Sequence, residues 1–183
     1  MTETWLQSNR RAIAFGAALP VAFAIVSLGL WLTAGEVGWI RWASLAFGGL
    51  ALLLMVLLAA QWRRPRLAYR DGVLLVYLRT GEPIKVPIEA VEAFFLGRGP
   101  TLLPGPQNRE LKTSNLVVRI AQRAVDYAER DVKPALGLWS EGYITIRGTW
   151  CEPLSVEVAN RLNRRLAEVK RELAERTPQE QAP

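Results

Sequence analysis

Histidine is absent from the 183 residues. Its absence removes the commonest general base, the neutral imidazole metal ligand and the side chain that titrates near neutral pH. Cysteine occurs once, at Cys151, so no internal disulfide and no cysteine metal cluster forms. A nucleophilic Cys151 would lack a histidine to activate it. No Gly-Lys-Ser/Thr closes a phosphate loop among the glycines. The carboxylates Glu89, Glu92, Glu110, Asp126, Glu129, Asp131 and Glu141 have no spacing that forces two onto one catalytic face. The expectation is a chain without enzymatic activity, cofactor or metal. Positive charge is modest, at +6, and much of it flanks apolar segments. That pattern signals topology and acidic lipid, and no nucleic-acid partner is expected.

What the chain does have is two apolar runs without a charged side chain, residues 12–34 and 42–60. At about 1.5 Å per residue each run is long enough, as a helix, to cross a hydrocarbon core roughly 30 Å thick. The first opens behind Arg10 and Arg11, so a signal peptide is the competing reading. The run is longer than a signal core, and it ends on Trp31 and Leu32 where small residues would be needed. Basic residues stay on the cytoplasmic side of a span. They stand before the first run and, as Arg63, Arg64, Arg66 and Arg70, after the second; the link 35–41 holds only Arg41, able to snorkel to the headgroups. The prediction is a helical hairpin with both termini in the cytoplasm. Trp31, Trp39 and Trp42 mark its outer edge, and Trp62 with Trp5 its inner one. Pro20 predicts a mild kink. Ala14, Ala18 and Ala22 offer a small-residue face, for packing within the hairpin or for a dimer contact.

The organisation expected is therefore an N-terminal segment 1–11, spans 12–34 and 42–62 around a short outer loop 35–41, one soluble domain over 63–176, and a disordered polar tail 177–183. The domain opens with Leu67–Arg70 and Val73–Arg79 around Asp71-Gly72, a strong hairpin signal because both turn residues tolerate positive φ. A third short strand covers 84–88, and 88–96 is ambiguous between a helical turn and a strand. Leu116, Val118 and Ile120 share one face, as do Ile144 and Ile146, which reads as half-buried antiparallel strands. From about Leu154 to Arg176 a helix carries the stripe Ala159, Leu162, Leu166, Val169 and Leu173, predicted to lie on the open sheet. The fold class is α+β.

Short strands closed by one terminal helix, directly after a two-helix membrane hairpin, resemble the bacterial membrane proteins that carry a cytoplasmic PH-like domain. The likeness rests on 66–74, Arg-Leu-Ala-Tyr-Arg-Asp-Gly-Val-Leu, and on 86–91, Val-Pro-Ile-Glu-Ala-Val. It implies a seven-stranded, strongly bent antiparallel sheet capped by the C-terminal helix, an inner-membrane location and no enzymatic activity. Two stretches depart from it: the Gly- and Pro-rich 97–114, and the poorly patterned 122–138.

Eukaryotic PH domains hold inositol lipids with basic residues in an open loop between the first two strands; the tight turn here leaves no room for one. Arg63, Arg64, Arg66 and Arg70 are candidate contacts to anionic headgroups, at about 1 kcal/mol per residue near the surface, or serve topology alone. The long segment with Arg98, Leu102, Leu103 and Arg109 is the candidate partner-binding loop, with disorder as the alternative. Trp139 and Trp150 are either core or a shared aromatic patch. The function expected is a membrane-anchored interaction or scaffold module whose domain binds protein, either a partner or a second copy. An anionic-lipid-associating domain and an accessory subunit of a transporter or envelope-synthesis complex are the alternatives.

Overall fold

A computed structural model describes residues 2–33, 38–100 and 112–180. The chain divides into two units, residues 8–64 and the short segment before them together with everything after.

The first unit is a helical hairpin of α1 (Arg10–Thr33) and α2 (Gly38–Arg63), both long and apolar enough to cross a membrane. Asn9 starts α1, its Oδ1 accepting the Arg11 N–H at 3.1 Å. The helices run antiparallel, with Gly16 against Leu58 and Gly48 against Ser27. Ser44, buried, donates its hydroxyl to the Ile40 carbonyl at 2.8 Å, so that hydroxyl is satisfied within its own helix. Large apolar side chains such as Phe15, Leu19, Leu53 and Leu57 are exposed, a distribution compatible with lipid around the helices. Ala14, Ala18 and Ala22 do not pack within the hairpin; all three are exposed. Two residues along a helix is a rotation of about 200°, so Ala14 and Ala18 lie opposite Gly16, which is the residue that meets α2. Because α2 begins at Gly38, the outer link is shorter than expected, and Arg41 stands within the helix, 5.7 Å from the Trp31 ring centroid.

The second unit is α+β. Strands β1 (Glu3–Leu6), β2 (Leu67–Arg70), β3 (Val73–Val76) and β4 (Ile84–Pro87) form one antiparallel sheet in that order. Strands β5 (Val91–Pro100), β6 (Lys112–Ile120), β7 (Gly137–Ser140) and β8 (Tyr143–Ile146) form another, ordered β5-β6-β8-β7. The tight turns between β2 and β3 and between β7 and β8 use the same chemistry: Asp71 and Gly72 at φ 48° and 80°, Glu141 and Gly142 at φ 53° and 76°. The ambiguous stretch 88–96 is both things in succession, a 3-10 turn at Ile88–Ala90 and then β5.

One of the eight strands, β1, lies ahead of the hairpin, within the N-terminal segment 1–11, for which the sequence predicts no strand. Glu3 and Thr4 pair with Tyr69 and Ala68, and Trp5 stacks on Tyr69 at 5.5 Å and meets Phe94 edge-on at 6.0 Å. Trp5 is 4% exposed and belongs to the domain core, not to a membrane interface. A four-residue strand whose partner lies more than 60 positions away has no local signal by which to be read. The resemblance implied seven strands in one bent sheet; eight strands in two sheets stand here among the described residues.

The two sheets enclose one core. The register of the second sheet lays Phe94, Val118, Ile144 and Trp139 in a row across all four strands, every one buried. Leu67, Leu74, Val76 and Val86 come from the first sheet. Helix α3 (Val156–Glu180) closes it, inserting Ala159, Leu162, Leu166 and Val169 as its stripe predicts. It runs to Glu180, beyond Arg176 where the apolar stripe stops, because a helix propagates on its own hydrogen bonds once nucleated. The side chain of Asn163 clamps the edge of β5: its Oδ1 accepts the Phe94 N–H and its Nδ2 donates to the Phe94 carbonyl, both at 2.8 Å. Lys170 adds a bond to the Val91 carbonyl at 2.6 Å. An edge that would otherwise offer free backbone groups is thereby occupied.

Candidate functional site

Alternation along β5 to β8 sends every second residue away from the core. The register places Phe95, Val117, Thr145 and Leu138 side by side on that outer face. Phe95 is 48% exposed and Leu138 59%. In the neighbouring row Tyr143, 45% exposed, stands beside Arg119. Arg119 is itself tied to Glu92 at 2.7 Å. The result is a strip with apolar side chains from β5, β6 and β7 and Thr145 from β8, with a polar margin, on a sheet whose other face supplies the buried row Phe94, Val118, Ile144 and Trp139. Sheet elements hold such side chains more rigidly than a loop does.

The expected loop site is only partly described. Leu102, Leu103 and Arg109 lie outside the described residues. Arg98 does not belong to a loop: it is an exposed residue of β5 opposite Ser114. The described parts of the Gly- and Pro-rich stretch, 97–100 and 112–114, continue the β5–β6 ladder, reaching Pro100 opposite Lys112. Its glycines are there for a cross-strand reason. A Cβ on Gly97 would stand 2.9 Å from Val117 Cγ2, and one on Gly99 2.5 Å from Asn115 Nδ2. Asn115 is buried over them, its Oδ1 accepting the Gly148 N–H at 3.2 Å. The poorly patterned 122–138 holds a 3-10 turn at Val125–Tyr127 and the start of β7.

The four candidate headgroup arginines separate. Arg63, Arg64 and Arg70 are exposed, and Arg70 pairs with its neighbour Asp71 at 3.3 Å. Arg66 is excluded from that role. It is 8% exposed, its Nε donates to the Trp150 carbonyl at 3.0 Å, and burial lowers its pKa, offset in part by Cys151. A guanidinium held under the backbone cannot reach a headgroup.

Cys151 lies beside Arg66 in the core, 1% exposed. Burial pushes its thiol up to about 12, with Arg66 acting the other way. The thiol is protonated and shielded, the opposite of an activated nucleophile. Trp139 is core rather than patch, with its indole N–H donating to the Tyr127 carbonyl at 2.8 Å; Trp150 is half-buried. Of the carboxylates, Glu89 and Glu92 share a polar cavity of about 440 Å³ with Arg119, Arg123 and Lys170, a lining dominated by cations.

The outer row was missed in the sequence. Alternation marks which residues face outward, but the alignment of Phe95 with Leu138 exists only through the pairing of β5 to β7 by way of β6 and β8. No family model matches the chain, and neither a curated protein nor a solved structure is found to be similar to it.

Proposed function

We propose that the chain is a membrane-anchored, non-enzymatic interaction module: α1 and α2 span the inner membrane of a bacterium, and a PH-like domain at the cytoplasmic face binds protein through the outer face of the β5-β6-β8-β7 sheet. The observation that carries this reading is the outer row Phe95, Val117 and Leu138, exposed at Phe95 and Leu138 and half-buried at Val117, with the exposed Tyr143 beside it. An apolar strip on an otherwise well-packed domain is the surface a partner protein covers.

Connectivity supports the topology. The chain leaves β1 at Leu6, passes through both helices, and returns at Leu67, which is the register partner of Leu6. Leu6 and Leu67 thus lie together in one sheet although both helices separate them in sequence. Arg10 and Arg11 at the start of α1 and Arg63 and Arg64 at the end of α2 are exposed, and basic residues at both ends favour the cytoplasm for them. The PH-like reading draws on two antiparallel sheets around one core and a C-terminal helix that closes it. The inert environment of Cys151, the single cysteine of a chain without histidine, supports a role other than catalysis.

Photo-crosslinking amino acids placed singly at Phe95, Leu138 and, as a control, Gln122 of the full-length protein test this in native membranes. The expected result is one defined protein adduct, a partner or a second copy, at Phe95 and Leu138 and none at Gln122. Lipid adducts alone, or identical adducts at all three sites, would contradict it.

A further inference from the structure

Three of the arginines that border the domain's other cavities are already neutralised. Arg119 is paired with Glu92 at 2.7 Å, Arg161 with Glu152 at 2.8 Å, and Arg165 with Glu3 at 2.9 Å. One cleft breaks this pattern. The turn joining β3 to β4 forms one wall and the segment 127–134 the other, enclosing about 840 Å³. Arg79, Lys85, Arg130 and Lys133 line it against only Glu82 and Asp131, an excess of two positive charges. Among the described residues, none of the four cations makes an ion pair with either carboxylate.

Two of the four cations are oriented through their side chains without being neutralised, and a third is anchored at its backbone. Arg79 donates its Nε to the Glu82 carbonyl at 3.0 Å, which fixes the guanidinium and leaves its two terminal nitrogens available. The Arg130 guanidinium stands over the Tyr127 ring at 5.6 Å, a contact that orients it and preserves its charge. Lys133 is anchored by its backbone, the N–H donating to Leu78 O at 2.9 Å and the carbonyl accepting from Leu136 at 2.8 Å. Pro83 and Pro134, one on each wall, restrict the backbone further. Fixed guanidinium forks with ammonium groups beside them match the oxygens of a phosphate group, which they contact in pairs.

We propose that this cleft binds a phosphate-bearing ligand, held by Arg79 and Lys85 from one wall and Arg130 and Lys133 from the other. It is distinct from the Asp71-Gly72 turn and from the apolar sheet face, and it stands independently of the protein-binding role. Its volume is within the range of small-molecule sites, while its charge excludes an apolar occupant. A soluble phosphate ester and a phospholipid headgroup share the chemistry, and the experiment separates them.

The full-length protein in phosphatidylcholine nanodiscs is titrated with inorganic pyrophosphate by calorimetry. In parallel, protein extracted from phosphatidylglycerol-containing membranes is weighed by native mass spectrometry for retained lipid. The double variants Arg130→Gln/Lys133→Gln and Arg79→Gln/Lys85→Gln are compared with Arg164→Gln, an exposed change on α3. All alter surface side chains and leave the fold intact. A soluble ligand predicts saturable pyrophosphate binding, weakened on the order of tenfold or more by either double variant and unchanged by the control. A headgroup predicts retained phosphatidylglycerol that both double variants lose. Binding in neither arm, or binding that the double variants leave unaltered, would overturn the proposal.

Discussion

Glu3 and Arg165 stand 162 positions apart and meet fork to fork, Arg165 Nε and Nη2 donating to the Glu3 carboxylate at 2.9, 3.1 and 3.0 Å. The same guanidinium reaches Glu168 and Glu172 on its own helix at 3.0 and 3.3 Å. These bonds, Glu3 first, raise an arginine pKa that is already high. The pair fastens the strand before the hairpin to the last helix of the chain. Glu152 extends the tie, bonding Arg161 through its side chain and the Gln7 carbonyl through its backbone N–H at 3.0 Å. The domain is thus completed by residues that precede the two apolar helices in sequence and residues that follow them.

A fragment beginning at Pro65 should therefore not fold. It lacks Leu6, fully buried, and Trp5, and leaves one edge of β2 unpaired. Joining residues 1–7 to Pro65 through a short flexible linker in place of the hairpin should restore a cooperative thermal transition, read by circular dichroism. In that spliced domain Trp5→Ala should lower stability by about 3–5 kcal/mol, and Glu3→Gln by about 1 kcal/mol or less, since the pair is partly solvated.

Asn163 should behave as a structural residue despite being polar and only half-buried. Asn163→Ala leaves the N–H and carbonyl of Phe94 without their partners, and the expected loss is about 2–3 kcal/mol in urea unfolding. Lowered solubility should accompany it, because an opened strand edge pairs with other chains.

Cys151 gives the pH dependence its sign. Its folded pKa, about 12, lies above the ordinary value of 9.0. Between those values the unfolded chain binds fewer protons than the folded one, so stability falls as pH rises from 9 towards 12. Below pH 9 this contribution is fully present. The slope should approach about 1.4 kcal/mol per pH unit and vanish from the comparison in Cys151→Ala. Alkylation of the native thiol at pH 8 should be at least about a hundredfold slower than that of an unfolded control.

Where two neighbouring signals agreed, the sequence was readable. Asp71-Gly72 lay between two apolar runs and made the turn it promised; Leu116, Val118, Ile120, Ile144 and Ile146 went inward, and the α3 stripe entered the core. Three features escaped for physical reasons. Strand β1 is defined by its pairing with β2 and not by its own pattern. Gly97 and Gly99 look like loop residues until the side chains of Val117 and Asn115 on the neighbouring strand occupy the space a Cβ would need. Arg66 reads as a topology charge, yet its neighbours Trp150 and Cys151 arrive from more than 80 positions away and bury it. The apolar row and the basic cleft are both assembled by register and turn contacts, which composition does not encode.

The most direct test of the account is whether the strand before the hairpin closes the domain after it. Thr4 and Ala68 are register partners, and paired β residues have Cα separations that a disulfide accommodates. In a Cys151→Ala background, Thr4→Cys with Ala68→Cys should form an intramolecular disulfide under mild oxidation in native membranes, detected as a cyclised peptide by mass spectrometry. Failure to bridge, with Thr4→Cys labelled by an impermeant maleimide from the membrane face opposite to the domain, would contradict both the fold and the topology built upon it.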